Sequence, residues 1–184
     1  MSLKEDYQMP SSGDKEGTVY LGTPQGMYFQ KQHRRPLPQT VIDNQNRTWT
    51  VEEGKGDKDE RNFGLFENDE LIAHFKIYSG AEASPDCPTD YWWTGKIQLL
   101  DRFHKEGIGT RLHDAIMNIL QEPLASDLDQ KIAGTNLWKR LIRQNPGKIV
   151  LLDASGNTTP VNYQNGSYQP NPWAVRNTRL VRLP

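Results

Sequence analysis

The sequence predicts an α+β fold. Short strand-like runs fill its first half, an amphipathic helix follows a strand and a glycine-bearing turn between 95 and 120, and a second helical pattern precedes a buried-type strand at 148–152. The 184 residues, 35% of them hydrophobic, fit one domain over 18–184 behind a polar tail at 1–17. That tail reads as disordered unless a partner protein or a homo-oligomer holds it. A net charge of -1 excludes a general polyanion binder, so nucleic acid is not an expected partner. The start, MSLKEDYQ, has no apolar core of a signal peptide and no run is long enough to span a bilayer, which makes a cytoplasmic protein without a membrane partner the expectation. The single Cys87 in SPDCPTD reads as a loop thiol. No His/carboxylate spacing suits a metal.

In chain order, TVYLG and MYFQKQ read as short strands, RRPLPQT as a proline-rich connection and RTWTVEE as a strand. GKGDKDER at 54–61 is a solvated loop. Two apolar runs, Phe63 to Phe66 and Leu71 to Ile77, flank Glu67-Asn68-Asp69-Glu70 and predict a hairpin. A loop at 81–90 leads through Tyr91-Trp92-Trp93 into the central strand. In the following helix Ile108, Leu112, Ala115, Ile116, Ile119 and Leu120 form an apolar stripe, with Arg111, His113, Asp114 and Asn118 on the solvated side, and Pro123 stops it. Leu124 to Ser126 is a brief strand. Asp127 to Asn145 carries Ile132, Leu137, Trp138, Leu141 and Ile142 at helical spacing, and Lys148 to Leu152 and Arg179 to Leu183 are strands. Between the last two lies a Gly, Asn, Pro and Tyr-rich extension starting at 153, with a turn at Asn165-Gly166. Its Tyr163, Tyr168 and Trp173 predict that it packs on the body.

Gly107 and Gly109 stand at the start of the central helix, where the first N–H groups have no helical acceptor and a phosphate is a suitable partner. The order hairpin, strand, glycine turn, helix, short strand, helix, strand over residues 62–152 resembles the GNAT superfamily of acyl-CoA-dependent N-acetyltransferases. That family's loop has Arg or Gln, two residues, Gly, one residue, then Gly or Ala; here it reads His104-Lys105-Glu106-Gly107-Ile108-Gly109. Leu99 stands at the usual valine of the family's fourth strand, Phe103 at the aromatic before the loop, and Ile72-Ala73 follows a similar hairpin turn. The closing helix is similar to that of divergent members encoded by bacteriophages.

The resemblance implies a GNAT-like three-layer fold: a mixed, mostly antiparallel twisted sheet with helices on both faces. It implies acetyl-CoA as co-substrate, an amine on a small molecule or protein as acceptor, and direct attack within a ternary complex. The amides from Lys105 to Thr110 would cradle the CoA diphosphate, Leu99 and Leu100 would pair with the pantetheine arm, and Lys105 and Arg111 would add charge. His104 replaces the family's Arg or Gln, and Glu106 sets a carboxylate beside the anion. Where the family often has a Tyr that protonates the leaving thiolate, this chain has Trp138, which cannot do so. Ser126 and Asp127 would face the splayed gap between the fourth and fifth strands, where Asp127 would orient or deprotonate the amine. Read from the residues alone, the same pair is the N-cap of the following helix. Two functions therefore stay open, an N-acetyltransferase and a non-catalytic GNAT-fold binding or assembly protein, such as a phage virion or host-interaction component.

Overall fold

The computed structural model describes residues 18–20, 28–30, 34–54, 56, 58–68, 70–79, 91–127, 130, 132–175 and 177–184. The polar stretch 1–17 and the loop at 81–90 with Cys87 lie outside them. Two compact units are distinguished, Met1–Lys76 with Lys96–Ala115, and Ile77–Gly95 with Ile116–Pro184.

In the first unit, β1 (Thr18–Tyr20) and β2 (Tyr28–Gln30) form an antiparallel pair of their own. The main strands, β3 (Arg35–Ile42), β4 (Thr48–Gly54), β5 (Glu60–Glu67), β6 (Glu70–Ser79) and β7 (Trp92–Leu99), are neighbours in that order. The proline-rich segment expected to be a connection is instead β3. It pairs antiparallel with β4 at the edge of the sheet, and its register shifts between Pro36 and Thr40. An edge position and an irregularity are the two settings in which a strand tolerates residues that lack an N–H. The hairpin forms as predicted, with Asn68 in the left-handed region at φ 49°.

Alternation of side chains puts Trp49, Val51, Phe63, Leu65, Leu71 and Phe75 in the core, all at most 6% exposed. Helix α1 (Ile108–Leu120) buries Ile108, Leu112 and Ile116 completely and stops as expected, with Gln121 at φ 54° and Pro123 beyond. His113, expected on the solvated side, is fully buried and meets the Phe75 ring edge-on at 5.8 Å between centroids. The buried face is wider than the apolar stripe by the row Thr110, His113 and Met117, which lies beside Leu112 and Ile116 on the helix surface.

In the second unit the order is β7, β8 (Leu124–Ala125), β13 (Arg179–Arg182), β9 (Ile149–Leu152), β10 (Thr158–Pro160). β8 runs parallel to β7 and the other pairs are antiparallel, so the sheet is mixed and mostly antiparallel. Helix α2 (Ile132–Gln144) buries Trp138, Leu141 and Ile142 against Ile149, Leu151, Val161 and Leu180. It starts at Ile132, not at Asp127, so Ser126 and Asp127 are not its N-cap. Ile132, the first residue of the helix, is 83% exposed. The other face of these strands gathers Trp93, Ala125, Val150, Leu152 and Val181.

The C-terminal extension packs through Tyr168 and Trp173 as expected, whereas Tyr163 is 41% exposed. β11 (Asn162–Gln164) and β12 (Ser167–Gln169) join through Asn165-Gly166 at φ 51° and 81°, a turn only such residues adopt readily. Tyr168 and Trp173 lie against the Trp138 cluster, and the Tyr168 hydroxyl donates to the Lys139 carbonyl at 3.3 Å.

Candidate functional site

The end of β7 and the start of α1 are joined by a 3-10 turn, Asp101–Phe103, and a loop at 104–107. The Leu100 N–H donates to the Ile72 carbonyl at 3.0 Å, and its carbonyl accepts from the Phe103 N–H at 2.9 Å. Alternation along the strand turns the backbone groups of Leu99 the opposite way, away from β6. Its carbonyl lies 3.0 Å from His104 Nε2, so the edge group left for an extended ligand is the Leu99 N–H. His104, where the resemblance expects Arg or Gln, thus meets its own strand and also lies 3.7 Å from an Asp101 carboxylate oxygen.

Lys105 and Gly107 both adopt left-handed backbone, φ 69° and 78°. Left-handed residues interleaved with ordinary ones turn successive N–H groups toward one side, and such concavities bind anions. The amides of Ile108, Gly109 and Thr110 form the first turn of α1, where no helical acceptor exists; the first helical bond from the loop runs from the Arg111 N–H to the Gly107 carbonyl at 3.3 Å. The two glycines do different work. A Cβ on Gly107 would stand 2.9 Å from Asn44 Oδ1, whereas a Cβ on Gly109 would meet nothing within 4 Å. Gly107 permits close packing and Gly109 leaves an open approach to the helix start.

Asn44 belongs to the turn between β3 and β4, and this turn holds the loop from behind. The Asn44 N–H donates to the Glu106 carbonyl at 3.0 Å, and its side-chain amide donates to the Lys105 carbonyl at 3.2 Å. The Glu106 N–H, on the edge opposite the Lys105 carbonyl, donates to the Phe103 carbonyl at 3.4 Å, so of the amides expected to cradle a phosphate this one is already engaged within the loop. Arg111 Nη1 donates to the Ile42 carbonyl, which ties the first turn of α1 to the same segment.

The turn is itself braced. The buried Asp43 carboxylate accepts from the Gln45 and Arg47 N–H groups at 2.9 and 2.8 Å and from Arg47 Nε at 2.7 Å. Burial pushes its pKa up, but the Arg47 and Gln45 hydrogen bonds and the Arg47 charge win and hold it below the ordinary carboxylate value. The Arg47 guanidinium then covers Trp49 and Phe103 at 5.2 and 5.1 Å from the ring centroids. The stretch Asp43-Asn44-Gln45-Asn46 is turn chemistry, so a turn was findable from sequence; its contact with Lys105 and Glu106, 61 and 62 positions away, was not.

The charge around the loop is mixed. Lys105 and Arg111 are exposed, and Glu106 is half-buried. A diphosphate suits the amides, the open side at Gly109 and the two cations, with the Glu106 carboxylate as the adverse element.

The other sequence-predicted residues lie at the end of β8, in the second unit. Ser126 is fully buried: its N–H donates to the Leu180 carbonyl at 2.7 Å and its Oγ accepts from the Leu180 N–H at 3.1 Å. It continues the pairing of β8 with β13 beyond Ala125. Asp127 follows it and is exposed. The parallel pairing of β7 with β8 comprises Trp92 with Leu124 and Trp93 with Ala125. Trp138, at the position of the family's acid, is 3% exposed within the α2 core.

No family model matches the chain, and no curated protein matches it. Solved structures do. The Bacillus subtilis N-acetyltransferase YlbP in complex with coenzyme A is 14% identical, with 67% of each chain covered and a TM-score of 0.39. Escherichia coli ElaA is 15% identical over 79% of this chain and 77% of that one, TM-score 0.40. A GNAT family acetyltransferase from Elizabethkingia anophelis with acetyl-CoA bound is 12% identical over 67% and 74%, TM-score 0.37.

Proposed function

We propose that this chain is a GNAT-like N-acyltransferase that takes acetyl-CoA through the loop at 105–110 and passes the acetyl group to an amine. The observation that carries this reading is the loop itself: left-handed Lys105 and Gly107, the Asn44 brace behind them, and the open approach at Gly109. Main-chain donors fixed before the ligand arrives bind a diphosphate without reorganisation. The Leu99 N–H is the strand-edge donor for the pantetheine arm, and Lys105 and Arg111 supply charge. Asp127 is the carboxylate for orienting or deprotonating the acceptor amine, and Ser126, through β13, holds it in position. Kinship with the divergent bacteriophage members belongs to the same proposal.

The test is calorimetric titration of acetyl-CoA and CoA into the protein and into Gly109→Glu. The new side chain enters open space, so the fold survives while a carboxylate occupies the phosphate approach. Micromolar binding that weakens with salt and is lost in the variant supports the reading; equal affinity of both proteins for CoA overturns the site.

One observation favours the second reading, a GNAT-fold protein that binds or assembles without catalysis. Trp138 is core, packed with Leu141, Ile142 and Leu180, and carries no acid for the leaving thiolate. CoA binding without acetyl transfer to a broad amine panel is the result that selects it.

A further inference from the structure

Arg179 opens β13 and shares a side with Val181, the side lined by Trp93, Ala125, Val150 and Leu152. Its guanidinium carbon lies 4.2 Å from the centroid of the Trp93 ring, and Nη1 reaches the Ser126 carbonyl only at 3.5 Å, the far limit of a hydrogen bond. Among the described residues no carboxylate lies within ion-pairing distance of it, although Arg34, Arg35, Arg47, Arg61 and Arg102 all have one. Stacking on indole takes water from one face of the cation and leaves the N–H groups at its edge to find an acceptor. The Trp93 indole N–H, out of water's reach, also has no acceptor. Among the described residues this corner is therefore short of negative charge. Yet Asp127, the residue after Ser126, is exposed and makes no ion pair with Arg179. A cation and an anion placed beside the same β8 terminus and not joined to each other suit a ligand that carries both signs.

We infer that the end of β8 and the start of β13 form a seat for a zwitterion of the amino-acid type, with its carboxylate on the free edge of Arg179 and its amine on Asp127. The planar guanidinium matches a carboxylate in two parallel hydrogen bonds. A phosphate dianion is disfavoured, because a single cation serves the seat and Asp127, next in the chain to the Ser126 that Arg179 reaches, is itself negative. The assignment rests on the acyltransferase reading in one respect, that the amine held there is the acceptor, so the acceptor class would be amines bearing a nearby carboxylate.

The test is titration of glycine, glycinamide, acetate and inorganic phosphate into nitrogen-15 labelled protein at constant ionic strength, following the Trp93 indole signal, with CoA titrated in parallel. Glycine and acetate should shift that signal saturably and glycinamide should not. Arg179→Gln should weaken glycine at least about tenfold, the scale of a lost hydrogen bond to a charged group. Asp127→Asn should weaken glycine and leave acetate bound as tightly or more tightly. If Arg179→Gln does not fold, Arg179→Lys retains the charge without the fork and should still weaken glycine. No saturable response to glycine or acetate, or phosphate bound more tightly than either, overturns the seat. CoA binding without a glycine response defeats the seat alone; a glycine response without CoA binding leaves the seat standing and removes the acyltransferase reading.

Discussion

Gly107 and Gly109 stand two residues apart in one motif and have opposite neighbourhoods, which makes their substitutions separable. Gly107→Ala forces a Cβ onto Asn44 Oδ1 at a φ of 78°, so it should destabilise the protein by about 1–3 kcal/mol and loosen the loop. Gly109→Ala, with nothing within 4 Å, should leave the melting temperature nearly unchanged. Thermal melts of the two variants check this, and equal losses would mean the loop is not packed on the turn. Asn44→Ala removes the side-chain bond to Lys105 but leaves the backbone bond to Glu106, and should cost about 0.5–1.5 kcal/mol of stability. If the loop seats CoA, the same change should weaken CoA by up to about tenfold, read by calorimetry. None of these residues reveals its neighbours in the sequence. His113 shows the converse: the hydropathy pattern assigned it to solvent, and its contact with Phe75 buries it.

At the scale of elements, α1 and the hairpin were legible because their periodicities are long and their ends carry stop signals, Pro123 and the Asn68 turn. β3 was not, since Pro36 and Pro38 argue against a strand until an edge position excuses them. The first turn of α2 was over-read for a related reason: helical spacing marks where a helix is allowed, and burial decides how much of it forms. Trp138 is the anchor of that helix. Trp138→Ala should destabilise by about 3–5 kcal/mol, measured by denaturant unfolding. Trp138→Tyr, which supplies the acid that the proposed acyl transfer lacks, buries a hydroxyl in an apolar cluster. A gain in acetyl transfer despite lower stability would identify the missing acid as the limit on activity, and a folded variant with no gain would exclude that explanation.

At the scale of the whole molecule, three carboxylates among the described residues are held below their ordinary pKa, 3.8 for Asp43 and Asp153 and 4.5 for Glu53. For Asp43 and Glu53 burial works against arginine hydrogen bonds and loses; for Asp153 the Asn157 hydrogen bonds dominate. A depressed carboxylate binds fewer protons folded than unfolded, so its stabilisation is complete above the ordinary value and disappears as pH falls through the folded one. The melting temperature should therefore fall as pH drops below about 4.5, and less steeply in Asp43→Asn, by circular dichroism. A flat profile through that range would contradict these pairings. The class of fold, the hairpin of Phe63 to Ile77, α1 and the glycines at its start were set by the sequence alone, because periodicity, turn residues and glycine act over a few positions of chain. Tertiary structure alone decided that Asn44 supports the loop, that Ser126 extends a sheet pair instead of capping a helix, and that Arg179 lies over Trp93. Each of those contacts joins residues about 50 or more positions apart, and no local pattern encodes which distant backbone will arrive to meet them.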